Sequence, residues 1–411
     1  MSGAPFEVLR ERLTAALARP DLAFVASGLA GRIRFQVGAA ALDLVLADSG
    51  RTVAPAEDDA RVVIAADDTA WETALASPPP PLFHSFAAIQ LRNPAFTVSG
   101  DPLAIAQARA LLEAVFEALQ GAPRAASRRW RRSSIIGAYA ALRGPGGDTA
   151  DIFYESAGQG PPLLCLHTAG ADSRQFHGVL GDLEITASWR TIAFDMPFHG
   201  RSSPPESWDG GRYRLDQDTY RDWCAAFIAE VVREPVVVMG CSMGAGIALV
   251  LAADRPDLVR AVVGLEAPVR PRGRRNPYLT HAQVHGGWHS SAYVRGLLAP
   301  QSPAADRRQA AWIYSQGAPG IYDGDLIFYS DEFDGETVAR RIDGTRIPVE
   351  LLIGHYDFSA TVDDARALAG WIPEAKVTEM PDLGHFPMTE HPERFRDYLL
   401  PALARIRDRI G

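Results

Sequence analysis

Val236-Val-Val-Met-Gly-Cys-Ser-Met-Gly244 is an apolar, β-branched run that feeds directly into a G-x-S-x-G pattern centred on Ser242. Such a run predicts a buried strand. Glycines at 240 and 244 would let the chain turn sharply from strand to helix and leave the central serine oxygen exposed. The next stretch, Ala245-Gly-Ile-Ala-Leu-Val-Leu-Ala-Ala253, predicts a compact apolar helix. Its first turn would aim backbone N–H groups at the point where negative charge develops during attack by the serine. The same turn directs Cys241 into the packing, so the thiol is not the expected nucleophile.

Working outward, Pro162-Leu-Leu-Cys-Leu-His167 reads as a second buried strand that runs into Thr168-Ala-Gly170. Small residues let backbone amides approach a bound carbonyl. The N–H groups of Ala169 and Met243 are therefore the expected oxyanion donors, each worth roughly a hundredfold or more in rate. His167 is expected to pin that loop. A third strand, Trp189-Arg-Thr-Ile-Ala-Phe-Asp195, ends in Met-Pro-Phe-His-Gly-Arg-Ser202, where Asp195 and His199 should organise a turn. Later, a strand pattern from Val349 to Ile353 precedes Gly-His-Tyr-Asp357, and Ala261-Val-Val-Gly-Leu265 precedes Glu266. Finally, Met380-Pro-Asp-Leu-Gly-His-Phe-Pro-Met388 puts His385 after a glycine, between a short strand and a terminal helix.

The elbow, the Asp195 to Ser202 turn, the G-x-x-D loop and the L-G-H-F-P string together resemble the α/β-hydrolase superfamily, from about residue 135 to the C-terminus. The resemblance implies an α/β-hydrolase fold, a mostly parallel sheet flanked by helices, with a helical cap insertion. It implies Ser242 as nucleophile, His385 as base and Asp357 as the acid, with Glu266 as an alternative position for that acid. Serine is a weak nucleophile at neutral pH, so the imidazole must take its proton as attack occurs, and the carboxylate must hold the imidazole. An acyl-enzyme route to esters, thioesters or amides follows, with no cofactor and no metal. Thr168 and Phe198 stand where glycine is commoner in the superfamily.

Three rivals remain. A carbon–carbon hydrolase of aromatic ring-cleavage products would use similar residues, although the G-x-G-P-G loop usual in that group is absent. A cofactor-free haloperoxidase would make peracids with the same triad. A non-enzymatic lipid or small-molecule carrier would keep the triad idle.

The 411 residues, 47% of them hydrophobic, suffice for two domains, and no apolar run is long enough to span a bilayer. The first residues lack a signal-peptide pattern and the three cysteines have no metal spacing, so a reducing cytoplasm is expected. A net charge of −9 gives no case for nucleic-acid binding.

Residues 1–120 predict a smaller α+β domain. Gly31-Arg-Ile-Arg-Phe-Gln-Val37 and Ala41-Leu-Asp-Leu-Val-Leu46 alternate with period two, and Arg61-Val-Val-Ile-Ala65 is a further strand. Helical patterns over Phe6 to Leu17 and Pro102 to Leu119 bracket them, the latter behind a cap at Ser99-Gly-Asp101. Through Phe96-Thr-Val-Ser-Gly-Asp-Pro-Leu103 and the helix after it, this part resembles the sterol carrier protein fold. That likeness implies either an apolar-ligand domain or a docking and dimerisation module, hence a homo-oligomer as a possible partner state. Residues 121–134, with five arginines, read as a linker.

Between the Glu266 and Asp357 strands, at about 268–345, lies the expected cap over the substrate. Trp288, Tyr293, Trp312, Tyr314, Tyr322, Phe328 and Tyr329 make it rich in rings, each able to bury on the order of 200 Å². Trp288, His289, Tyr293, Trp312 and Tyr314 are the expected contacts to a bulky apolar or aromatic small-molecule ester. His281, His285 and His289 recur at spacings of four, but Gly286-Gly287 interrupts the helix they would need to bind a metal.

Overall fold

The computed structural model describes residues 4–48, 50–121 and 134–411. Most of the expected arginine-rich linker, residues 122–133, falls outside the described residues.

The first sheet comprises β1 (Gly31–Val37), β2 (Ala40–Ala47), β3 (Gly50–Pro55), β4 (Val62–Ala66) and β5 (Thr97–Gly100), in the order β3-β2-β1-β4-β5. Alternation in β1 buries Ile33, Phe35 and Val37 and leaves the residues between them part-exposed. The helix Pro102–Leu119 covers this sheet, and the Asp101 side chain caps it by accepting from Leu103 N at 2.9 Å. Gly100 is held at φ +121°, and a Cβ there would fall 2.1 Å from the Arg61 carbonyl oxygen, so only glycine fits before that cap.

The second sheet is larger: β6 (Ile136–Arg143), β7 (Thr149–Ala157), β8 (Pro162–Leu166), β9 (Arg190–Phe194), β10 (Val236–Cys241), β11 (Val259–Leu265), β12 (Val349–Gly354) and β13 (Lys376–Met380). Its order is β13-β12-β11-β10-β8-β9-β7-β6. The β6/β7 and β7/β9 contacts are antiparallel and the others parallel. Every residue of β8, β10 and β12 is buried, which explains the unbroken apolar runs of β8 and β10; in β12 the run is interrupted by Glu350, which is paired with Arg405. Val236 and Val238 pack on one face with the helix Met243–Asp254, while Val237, Met239 and Cys241 pack on the other with Pro392–Ile410. Ser242, Glu266, Asp357 and His385 all follow the C-terminal ends of parallel strands, where ligands bind in open α/β sheets.

The segment between β11 and β12 forms the helices Gly286–Gly296, Ala304–Tyr314, Ile321–Leu326 and Gly335–Ala339 and a π-helical turn, Ile327–Glu332. The first of these packs on Pro102–Leu119 of the smaller sheet's unit. Arg295 and Arg307 both pair with Glu117, the latter at 2.8 Å, and the Arg109 guanidinium lies 4.1 Å from the Tyr293 ring centre. The short helix Phe86–Arg92 serves two cores, with Phe86 and Ile89 in the first and Ala87 and Ala88 in the second. Among the described residues no helix is long and apolar enough to cross a membrane.

Candidate active site

Ser242 sits at φ 57°, ψ −115°, between β10 and the helix Met243–Asp254. A non-glycine residue in that region costs of order 1–3 kcal/mol and persists only where its surroundings impose it. The surroundings here are backbone. A Cβ on residue 240 would lie 2.0 Å from the Gly244 carbonyl oxygen, and one on residue 244 would lie 2.2 Å from that of Leu166. Ser242 N donates to Leu265 O at 2.9 Å, tying the turn to β11.

His385 Nδ1–H donates to Asp357 Oδ2 at 2.6 Å, and both side chains are buried. Asp357 also accepts from the amides of Ser359 (2.6 Å) and Ala360 (3.2 Å). The histidine loop is braced from behind by Glu390, which accepts from the amides of Gly384 (2.9 Å) and Ala299 (2.7 Å). Burial pushes its carboxyl up to about 7. Glu266, the other candidate acid, takes the Gly354 amide on its two oxygens at 2.9 and 3.0 Å. Burial, then the neighbouring Asp357 charge, push Glu266 well above the usual carboxylate range.

The Ser242 Oγ donates to the Tyr329 hydroxyl at 2.9 Å. Tyr329 comes from the π-helical turn, and burial pushes its phenol up to about 12.

His167 pins the loop after β8. Its Nδ1–H donates to Thr168 O (2.9 Å) and its Nε2 accepts from Met196 N (3.2 Å), while burial drives its pKa down to about 4. Thr168 N donates to Gln175 Oε1 (3.0 Å) and Gly170 N to Asp325 Oδ2 (2.7 Å). Ala169 lies between these two committed amides. Met243 heads its helix, in which Gly246 N is the amide that bonds back to Ser242 O (2.9 Å). Asp325 also accepts from His199 Nε2–H (2.9 Å) and the Tyr213 hydroxyl (2.8 Å). His199 gives its other N–H to Pro197 O (2.9 Å), so both ring nitrogens donate. Although burial opposes it, the Asp325 charge raises the pKa of this imidazole. Asp195 holds its turn by accepting from the Ser173 and Arg201 amides.

The five expected substrate contacts separate. Tyr314 is buried with its hydroxyl on that of Thr168, beside the loop after β8. Trp312 is 47% exposed and packs under the Arg174 guanidinium. Trp288 and His289 do not face Ser242. They line a cavity of about 580 Å³ against the first sheet, with Trp288 on Phe24 at 4.7 Å and His289 Nδ1–H on Ala106 O at 3.2 Å. The reason is the helix Gly286–Gly296, whose ring-bearing face is taken by Pro102–Leu119. Tyr293 stacks on Arg109 and borders a smaller cavity, of about 220 Å³, that reaches Phe358 next to Asp357. Of the three spaced histidines only His289 lies within that helix, and His281 Nδ1 accepts from Gln283 N at 3.1 Å.

Four residues at or beside the site escaped the sequence reading as site residues: Tyr329 and Asp325, and Tyr322 and Arg274, which line the 220 Å³ cavity. Two of them stood among the rings of the insertion, but ring content alone does not say which hydroxyl reaches the serine.

Residues 161–392 match the sequence profile of the alpha/beta hydrolase fold. The pimeloyl-[acyl-carrier protein] methyl ester esterase of Chromobacterium violaceum is 27% identical over 263 residues, covering 60% of this chain and 95% of that protein. The 2-hydroxymuconate semialdehyde hydrolase of Pseudomonas putida is 26% identical, covering 58% and 85%. Some matches are partial: the chain spans 40% of the length of an uncharacterized Bacillus subtilis hydrolase that is 33% identical over 115 residues. Among solved structures, a thermophilic esterase from Thermogutta terrifontis superposes with TM-score 0.56 at 18% identity, over 66% of this chain and 99% of that one. An enol-lactonase from Burkholderia xenovorans gives 0.55 at 18% identity, over 65% and 100%.

Proposed function

Since the chain belongs to the alpha/beta hydrolase fold family through residues 161–392, we propose that it is a serine hydrolase that cleaves a small-molecule carboxylic ester through an acyl-enzyme. Ser242 Oγ attacks the acyl carbon while His385 Nε2 takes its proton; Asp357 holds Nδ1–H and stabilises the imidazolium. The oxygen of the tetrahedral intermediate is held by the amides of Ala169 and Met243. Collapse breaks the ester C–O bond, and His385 returns the proton to the departing alkoxide. Water then repeats the attack on the acyl-enzyme, with His385 as base, and frees the acid and Ser242.

The observation that carries this reading is the 2.6 Å bond from His385 to Asp357 beside a serine held at φ 57°. The oxyanion assignment is supported by Ala169, whose neighbouring amides at 168 and 170 are already engaged. The relatives whose names specify an ester or a lactone agree with it.

A second reading, hydrolysis of a carbon–carbon bond in a semialdehyde, has the support of the Pseudomonas relative. It uses the same groups. The test is a fluorophosphonate probe followed by peptide mass mapping. Labelling is expected on the Ser242 peptide, and absent in Ser242→Ala, whose ester turnover should fall by several orders of magnitude. Equal turnover by the variant would sink both readings.

A further inference from the structure

The 220 Å³ cavity is small beside pockets for drug-sized ligands, on the order of 300–1,000 Å³. Its walls come from three places. Arg92 ends the helix Phe86–Arg92 of the first unit, Arg272 and Arg274 lie in the loop that follows β11, and Tyr293, Tyr322 and Phe358 supply the rings. Two of these walls touch the proposed machinery. Tyr322 packs so closely on the loop after β8 that a Cβ on Gly170 would lie 2.8 Å from its ring, and Phe358 follows Asp357 in the chain. Arg274 adjoins Tyr329 as well: its backbone N–H donates to Ser330 Oγ at 3.1 Å. Burial raises the phenols of Tyr322 and Tyr329, and the Arg274 charge pulls against that rise in both.

Charge in this cavity is unbalanced. Elsewhere in the same loop arginines are paired, Arg270 with Asp334 and Arg275 with Asp323 and Asp331. Among the described residues Arg92, Arg272 and Arg274 form no ion pair, and Arg274 Nη2 is buried without a hydrogen-bond partner. Arg274 as a whole is part-buried, and the one nitrogen of it that is shielded from water is costly to leave without an acceptor, which an anion would supply. This happens in a chain whose net charge is −9, so the excess of positive charge is local.

We infer that the substrate carries a carboxylate, bound by Arg274 with Arg92 and Arg272 at the cavity mouth, and that Arg274 determines specificity. The inference rests on the serine hydrolase reading and deepens it. A guanidinium offers two parallel N–H donors matched to the two oxygens of a carboxylate. The rings hold the short apolar spacer between that carboxylate and the ester. A small half-ester of a dicarboxylic acid, or an ester of a hydroxy acid, has this form.

The experiment uses the full chain and two esters that differ only at the far end, the 4-nitrophenyl half-ester of glutaric acid and 4-nitrophenyl valerate. Wild type is expected to favour the half-ester in kcat/KM by tenfold or more at low ionic strength, with the difference carried by KM. In Arg274→Gln that ratio should collapse towards one, and Arg274→Lys should keep part of it. Equal kcat/KM for the two esters in wild type, or an unchanged ratio in Arg274→Gln, would overturn the inference. If neither ester is cleaved, glutarate itself decides. A rise in thermal midpoint with glutarate in wild type, lost in Arg274→Gln, supports the anion site, and no rise overturns it. The fluorophosphonate labelling of Ser242, measured in parallel, reports separately on the serine hydrolase reading.

Discussion

Ser242 Oγ and the Tyr329 hydroxyl are hydrogen-bonded at 2.9 Å across 87 positions of sequence. The serine hydroxyl thus rests on a ring delivered by a π-helical turn, and in the proposed mechanism this bond gives way as His385 takes the proton. A hydrogen bond of this kind contributes about 1 kcal/mol net. In Tyr329→Phe that bond no longer has to break, so fluorophosphonate should label Ser242 about fivefold faster. Slower labelling would mean that the phenol assists attack.

Asp357 and Glu266 can be told apart by substitution. Asp357→Asn leaves His385 with the wrong tautomer and should reduce kcat by about 10⁴. Burial, then the charge of Asp357, push the Glu266 carboxyl well above the usual carboxylate range, towards the neutral form that an amide resembles. Glu266→Gln should therefore lose less than about tenfold. The reverse ranking would move the acid to the end of β11.

Glu113 makes stability depend on pH. Its carboxylate oxygens take the amides of Ala87 (2.7 Å) and Phe86 (3.2 Å) between the two units, and burial pushes the group up from 4.5 to about 7. The unfolded chain loses this proton near 4.5 and the folded chain retains it up to about 7. In that window the unfolded state binds fewer protons, so stability from this group is full below 4.5 and declines as pH rises to 7. Glu113→Gln removes the decline. The Tm of the variant relative to wild type should rise between pH 5 and pH 7.5, and a relative fall would contradict the assignment.

Glu117 carries two arginines. Despite its burial, the charges of Arg295 and Arg307 hold its carboxyl down at about 2. Glu117→Gln strands both cations, a change that costs about 3–5 kcal/mol in buried pairs. Thermal unfolding should shift down by several degrees and ester turnover should fall with it. An unchanged Tm would show that the two units are held by other contacts.

The turn at Ser242 was legible because its physics is local: two glycines at fixed spacing, a β-branched strand before and an apolar helix after. The Gly100-Asp-Pro turn was readable for the same reason. Trp288 and His289 were not, since an aromatic helix face announces burial without naming what buries it, and here the partner lies 183 positions away at Ala106. Tyr329 was hidden by the π-helical turn, whose register differs from the 3.6 period by which faces are counted. Arg274 was one arginine in an arginine-rich loop. What sets it apart among the described arginines of that cavity is a buried Nη2 with no hydrogen-bond partner, which only three-dimensional placement reveals.

The loop bearing Asp357 leans on the smaller unit. Tyr356 donates its hydroxyl to Pro79 O at 3.1 Å and meets the His84 ring edge-on at 5.1 Å. Ser85 Oγ donates to Gly296 O at 2.7 Å, one residue before the Leu297 carbonyl that receives the His385 amide at 3.0 Å. Selection for altered turnover will therefore find productive positions in the amino-terminal body as well as in the reaction chamber. Recombination that exchanges one body without the other breaks a single heritable unit.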